Sequence, residues 1–119
     1  MKRGEVWVAR LDPRQGAEAG KNRPVLIVQE DRLTDAGMPT VLVVPLTTRL
    51  WAPFEPMRSR ITARDALRQD CHAMAEHVRS IDRGRLRQGP LTTATREEMA
   101  AVERSLRVVL GLTQAAENR

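Results

Sequence analysis

Cysteine and histidine are scarce in this sequence, and their scarcity argues against two kinds of site. Cys71 is the single cysteine, so no disulfide can form within the chain, and we expect an inert, buried thiol in a cytoplasmic protein. The two histidines, His72 and His77, offer neither CxxC nor HExxH spacing for zinc, and His72 is expected in or near the core. We therefore expect no metal and no cofactor.

Long apolar runs are also missing. No stretch of roughly 18 apolar residues, the length that crosses a bilayer, occurs in the chain. The beginning, MKRGEVWVARLDP, lacks the apolar segment of a signal peptide. The GxSxG motif and the phosphate-binding GxxxxGKS or GxxxxGKT motif are absent too, which argues against common hydrolases and nucleotide triphosphatases. We expect a protein that is neither secreted by that route nor bound in a membrane.

Lysine is nearly absent, so arginine supplies almost all of the positive charge. Lys2 and Lys21 are the only lysines, and the chain has a net charge of +5 with 20 basic and 15 acidic residues. Because the planar guanidinium group matches the oxygens of a phosphate, this balance favours a phosphate-bearing partner. The alternative is an arginine-rich composition that reflects codon bias and only solvates the surface.

The length and the apolar content suit one domain over residues 1–119, with residues 112–119 as a frayed tail. Only three residues are aromatic, so aliphatic side chains must fill most of the core. Apolar patterns predict strands over residues 5–10, 23–29 and 40–48, and a short strand over 57–62. Pro45 is expected to end the pairing of the third strand, and a turn is expected over residues 35–39.

The clearest helix begins at Thr95, which forms a capping-box pattern with Glu98. Gly111 is expected to end it. Its apolar face is predicted to comprise Met99, Val102, Leu106, Val109 and Leu110. Residues 63–78 favour a helix by composition alone, and residues 79–86 predict the end of a strand followed by one helical turn.

Polar residues gather where the predicted strands begin and end. They are Glu18, Lys21, Arg23, Thr47 and Thr48. In a small barrel, neighbouring strands would bring them to one rim. One reaction of a phosphate-bearing partner is the cleavage of RNA by its own 2′-hydroxyl. This reaction places extra negative charge on the oxygens of a pentacoordinate phosphorus. An arginine can bind these oxygens through two hydrogen bonds and a threonine through one.

Two protons must also move in this reaction. Guanidinium has a pKa above about 12, so Arg23 suits a clamp and general acid better than a base. The base could be a substrate phosphate, water or a desolvated arginine. The alternative interpretations are an ordinary surface arginine at position 23 and a strand-forming threonine at position 47.

The order of segments along the chain resembles the MazF/PemK toxin family from residue 3 to about residue 112. The segments are RGEVW, LDPRQGAEAGKNRPVLIVQED, TVLVVPLTT, AEHVRSIDRGRL and MAAVERSLRVVLGL. The resemblance implies a mainly β fold with added helices, of the α+β class. It further implies that this fold is a small SH3-like β-barrel with a C-terminal helix and that the protein works as a homodimer. It also implies a strand over residues 70–80 instead of a helix.

The resemblance implies a toxin that cuts single-stranded RNA at specific sequences without a metal, and that is inhibited by an acidic, MazE-like antitoxin whose flexible tail fills the RNA groove. The catalytic residues would be Arg23 and Thr47. The RNA-binding residues would be Glu18, Lys21, Asn22, Thr48, Trp51, Glu76, His77 and Arg79.

Two positions depart from the family pattern, because Ala19 and His77 stand where relatives usually have glutamine. We therefore expect a different base preference, and a loss of activity is an alternative. His77 could contact a base, respond to pH or sit satisfied in the barrel. Trp51 could stack on an unpaired base or cover the barrel mouth or the dimer seam.

Two other functions compete with the endoribonuclease. A gyrase poison of the CcdB kind would share the barrel and act by binding, through an apolar and aromatic chain end, whereas this chain ends in the polar TQAAENR. An inactive RNA-binding paralogue would bind RNA in a salt-sensitive way without cutting it.

Overall fold

The computed structural model describes residues 1–12, 16–17, 21–50, 53 and 57–112. In this part of the chain, one antiparallel sheet of seven strands curls into a half barrel, and a C-terminal helix packs on it. The strands are β1 (Glu5–Arg10), β2 (Asn22–Ile27), β3 (Thr40–Thr47), β4 (Arg58–Ile61), β5 (Cys71–Met74), β6 (Arg79–Asp82) and β7 (Leu86–Thr93). The helices are α1 (Asp31–Asp35) and α2 (Arg96–Val109). The expected mainly β fold with a C-terminal helix is confirmed.

Strand β3 lies at the centre of the sheet and pairs on both sides. The strand order is β4-β5-β3-β2-β1-β7, and β6 pairs with β3 beside β5. The prediction that Pro45 ends the pairing was wrong, because Pro45 is paired with Val25 of β2 and the strand runs on to Thr47. Residues 40–43 pair with β6, whereas residues 46–47 pair with β5. Pro45 therefore lies where β3 changes partner, and its missing N–H interrupts neither of those ladders.

Apolar side chains on both faces of the sheet form two cores, which explains the continuous apolar runs in β2 and β3. One core lies under α2 and includes Leu26, Leu46 and Val102. The other, on the opposite face, includes Val25 and Val43. Both cores are almost wholly aliphatic, as the composition predicted.

Helix α2 begins with the predicted capping box. Thr95 Oγ1 accepts from the N–H of Glu98 at 3.0 Å, and Glu98 Oε1 accepts from the N–H of Thr95 at 2.9 Å. Gly111 follows the helix with a φ of 72°, where glycine is favoured. Leu110 does not belong to the buried face, because the regular helix ends at Val109 and the side chain of Leu110 is exposed.

Three local predictions needed correction. Helix α1 was not predicted, and the expected turn follows it directly at residues 36–37. Residues 71–82 form two short strands separated by a 3-10 turn (Ala75–His77), so neither the helix favoured by composition nor one continuous strand is present. Strand β7 was missed because it contains Gly89 and Pro90, which weaken a strand pattern, but the edge position of β7 tolerates a proline. No helix of the described chain is long and apolar enough to span a membrane.

Candidate active site

The sheet register brings Arg23 and Thr47 together. Val25 of β2 is paired with Pro45 of β3, so the same antiparallel register places Arg23 opposite Thr47. Arg23 Nη1 donates to the carbonyl oxygen of Leu46 at 3.2 Å, and Thr47 Oγ1 accepts from the N–H of Arg49 at 3.2 Å. Both side chains are half-buried. They lie at one rim of the sheet, and neither is sealed in the interior.

These residues border an open cleft of about 410 Å³. Its lining residues are Lys21, Arg23, Pro24, Leu46, Thr47, Thr48, Arg49 and Cys71. Three of them are cations and two are hydroxyl donors, so the cleft offers an anion both charge and hydrogen bonds. Arg49 was not among the site residues predicted from the sequence, because it lies beyond the end of β3.

A second cleft of about 570 Å³ continues beside the first and shares Lys21 with it. Arg10, Asn22 and Arg87 line it together with Asp12. Asp12 Oδ1 accepts from the N–H of Lys21 at 2.6 Å, which holds Lys21 at a φ of 65° between the two clefts. The predicted residues Lys21, Asn22 and Thr48 therefore lie beside Arg23 and Thr47.

Comparison with known proteins identifies the family. The sequence model of the PemK-like, MazF-like toxins of type II toxin–antitoxin systems matches residues 2–110. This chain belongs to the PemK/MazF toxin family. It is 36% identical over 118 residues to the endoribonuclease MazF9 of Mycobacterium tuberculosis, with 94% of this chain and 98% of MazF9 covered. It is 34% identical over 113 residues to the endoribonuclease MazF of Staphylococcus saprophyticus, with 94% and 92% covered.

Solved structures show the same fold. The crystal structure of MazF from Deinococcus radiodurans superposes with a TM-score of 0.78 at 23% identity, covering 93% of this chain and 96% of that one. A MazE–MazF complex from the same organism gives a TM-score of 0.74 at 23% identity, covering 95% and 97%. The half-barrel sheet with a C-terminal helix is therefore the MazF fold.

A second group of predicted residues in this MazF-like chain lies away from the first. Glu76, His77 and Arg79 occupy the 3-10 turn and the start of β6. Arg79 is paired with Val43, which lies on the same face of β3 as Thr47 and four residues before it. Val43 and Thr47 are therefore about 13 Å apart along the strand. The structure therefore places Arg79 on the same sheet face as Thr47, but at a separate position along β3.

The turn holds a charged pair with unsatisfied atoms. Arg58 donates to Glu76 Oε2 through Nε at 3.1 Å and through Nη2 at 2.5 Å. Within the described residues, Glu76 Oε1 and Arg79 Nη1 are buried without a hydrogen-bond partner. A buried acceptor and a buried donor that lack partners cost free energy, so a polar group from outside the described chain would stabilise this turn.

Two predicted RNA contacts, Glu18 and Trp51, lie outside the described residues, as do Ala19 and the tail from residue 113. Over the ranges that the structure does describe, no three His, Cys, Asp or Glu side chains are grouped to hold a metal ion.

Cys71 and His72 of strand β5 point to opposite faces of the sheet. Cys71 is buried as predicted, and burial, with a further contribution from Asp70, raises the pKa of its thiol. His72 was expected in or near the core, but it is half-buried and points to the opposite face, because side chains alternate along a strand. It is paired directly with Thr47. The placing of polar His72 between the apolar residues Cys71 and Ala73 was the signal that sequence reasoning overlooked.

Proposed function

We propose that this MazF-like endoribonuclease toxin cuts single-stranded RNA at the rim where Arg23 of β2 lies opposite Thr47 of β3. The observation that carries the proposal is their placement across one register in an open, cationic cleft. A phosphodiester in this cleft would meet a guanidinium from one strand and a hydroxyl from the next. The endoribonuclease names of the two relatives support the same reaction.

In the proposed reaction, the 2′-oxygen attacks the neighbouring phosphorus and the bond from phosphorus to the 5′-oxygen breaks. The products are a 2′,3′-cyclic phosphate and a 5′-hydroxyl. Arg23 binds the phosphoryl oxygens as negative charge grows on them, and Thr47 donates one more hydrogen bond. Arg23 also donates a proton to the departing 5′-oxygen, whereas water or a phosphate oxygen accepts the proton of the 2′-hydroxyl. The reaction needs no metal.

Specificity is assigned to the two flanking groups of residues. Lys21, Asn22 and Thr48 lie beside the rim, and the unsatisfied atoms of Glu76 and Arg79 support a polar contact at the turn. His77 in the turn, together with Glu18, Ala19 and Trp51, is proposed to change the preferred bases relative to other MazF toxins.

Membership of a type II toxin–antitoxin family supports an antitoxin as the partner, and the solved MazE–MazF complex supports it further. We infer an acidic antitoxin whose flexible segment competes with RNA for the basic clefts, because the chain carries a net charge of +5. We further infer that the toxin is a single domain acting as a homodimer in the cytoplasm. The gyrase-poison alternative has no support from the family match.

The proposal is tested with purified protein and a mixed pool of RNA in EDTA, followed by sequencing of the new 5′ ends. Wild-type protein is expected to cut at a recurring short sequence and to leave 5′-hydroxyl ends. A 2′-deoxy nucleotide at the cut position should abolish cleavage, and undiminished cleavage there would exclude attack by the 2′-oxygen. RNA binding without any cuts would indicate the inactive paralogue.

Variants test the two assigned residues. Arg23→Ala is expected to lower kcat by about 100-fold or more with an unchanged fold, because a donor to the charged phosphoryl group is lost. Arg23→Lys keeps the charge but loses the planar fork, so it should recover only part of the rate. Thr47→Ala should have a smaller effect. Full activity of Arg23→Ala with a normal melting curve would refute the site.

A further inference from the structure

The pairing that joins Arg23 and Thr47 continues across two more strands. Thr47 of β3 is paired with His72 of β5, and His72 is paired in turn with Arg60 of β4. In antiparallel pairs, directly opposed residues have side chains on the same face, about 5 Å apart. Arg23, Thr47, His72 and Arg60 therefore form one row across four neighbouring strands, which we call the cross-strand row.

The burial pattern shows which way the row points. Cys71 and Ala73 flank His72 and are buried, and Ser59 and Ile61 flank Arg60 and are buried. These four neighbours face the core under α2, so His72 and Arg60 face away from that core. The side chain of Arg60 is 66% exposed, and His72 is half-buried. The row is therefore open to a ligand along β5 and β4.

One acidic residue accompanies Arg60. Asp70 Oδ2 lies 3.9 Å from Arg60 Nη1, and both side chains are well exposed, at 49% and 66%. Asp70 Oδ1 accepts from the N–H of Ala63 at 2.7 Å, which fixes the carboxylate. An exposed ion pair at this distance contributes little to stability, so Arg60 can exchange it for a phosphate at low cost.

We propose that His72 and Arg60 bind the phosphate of a nucleotide next to the scissile one, so that the RNA strand leaves the rim across β5 and β4. Adjacent strands are about 4.8 Å apart, which puts Arg60 about 10 Å from Thr47 along the row. That is too far to share the scissile phosphate and close enough for its long side chain to bind the neighbouring one. This inference rests on the proposed function of the rim.

The test uses Arg60→Gln and His72→Gln in the full-length toxin, with a short RNA that wild type cuts once. The matched control is Arg107→Gln, which removes an exposed arginine from α2 on the other side of the sheet. Each protein is assayed with the native RNA and with RNAs that carry one neutral methylphosphonate at successive positions on either side of the cut. The values of kcat and KM are measured separately at two salt concentrations.

Arg60→Gln is expected to raise KM about 5- to 10-fold with kcat nearly unchanged, and to weaken the salt dependence of KM. His72→Gln should raise KM less. One neutral phosphate position should raise KM of the wild type to a similar extent and cause no further increase in Arg60→Gln, which would identify the bound phosphate.

The inference is overturned if Arg60→Gln changes KM no more than Arg107→Gln does. It is also overturned if the increase in KM caused by Arg60→Gln adds to the increase caused by a neutral phosphate at every position. A fall in kcat alone, with KM unchanged, would also contradict a site for a flanking phosphate. If Arg23→Ala retains full activity, the rim proposal fails instead. The two failures are therefore distinguishable in one set of assays.

Discussion

Glu98 offers a quantitative test of how the helix is held to the sheet. Its carboxylate accepts from the N–H of Thr62 at 2.8 Å, from the N–H of Thr95 at 2.9 Å and from Arg64 Nη2 at 2.7 Å. The side chain is only 12% exposed. Because Thr62 directly follows β4, this one carboxylate ties the start of α2 to the strand that carries Arg60.

These contacts set the pKa of Glu98. Burial alone would raise this pKa, but the hydrogen bonds from Arg64 and the two backbone N–H groups outweigh burial and lower it from 4.5 to about 2. A tenfold change in proton affinity is about 1.4 kcal/mol, so the carboxylate contributes about 3 kcal/mol to stability at neutral pH. The same pair raises the pKa of Arg64, and the two effects describe one interaction and are not added.

The sign of the pH dependence follows from the lowered pKa. The stabilisation is complete above the unfolded pKa of 4.5 and is lost as the pH falls through about 2. Glu98→Gln should therefore lower the free energy of unfolding by about 3 kcal/mol at pH 7, and this difference from wild type should shrink by about 2 kcal/mol at pH 3. Urea denaturation at a fixed protein concentration measures both values.

Glu97→Gln is the matched control, because it removes the same charge from an exposed position on the first turn of α2. Loss of its interaction with the helix dipole should cost less than about 1 kcal/mol. The reasoning is refuted if Glu98→Gln destabilises the protein no more than Glu97→Gln, or if its effect is the same at pH 3 and pH 7.

Two further predictions concern stability and thiol reactivity. Gly89→Ala would place a Cβ atom 2.5 Å from the Trp7 ring. This substitution should therefore destabilise the protein by about 1–3 kcal/mol and alter its tryptophan fluorescence. An unchanged melting curve would contradict the packing of Trp7 on Gly89. Cys71 is buried and the pKa of its thiol is raised, so it should react slowly with a thiol-specific dye in the folded protein and rapidly in urea. Labelling of the folded protein at the rate of a free thiol would contradict this burial and would show that β5 opens.

The sequence was sufficient where the decisive interactions are local. The capping box of Thr95 and Glu98 depends on residues three apart, so its pattern predicted the start of α2 directly. Short continuous apolar runs predicted β2 and β3, because strands buried on both faces need apolar side chains at successive positions. The order of family segments added Arg23 and Thr47 as candidates.

Tertiary contacts decided the remainder, because pairing partners distant in sequence override weak local preferences. Residues 71–74 favour a helix by composition, yet pairing with β3 and β4 makes them a strand. No local pattern shows that His72 is paired with Thr47, or that Arg60 continues the same row, since these residues are far apart in the chain. The sequence alone therefore determined which residues carry the charge and hydroxyl groups, and the strand register determined which of them face one another.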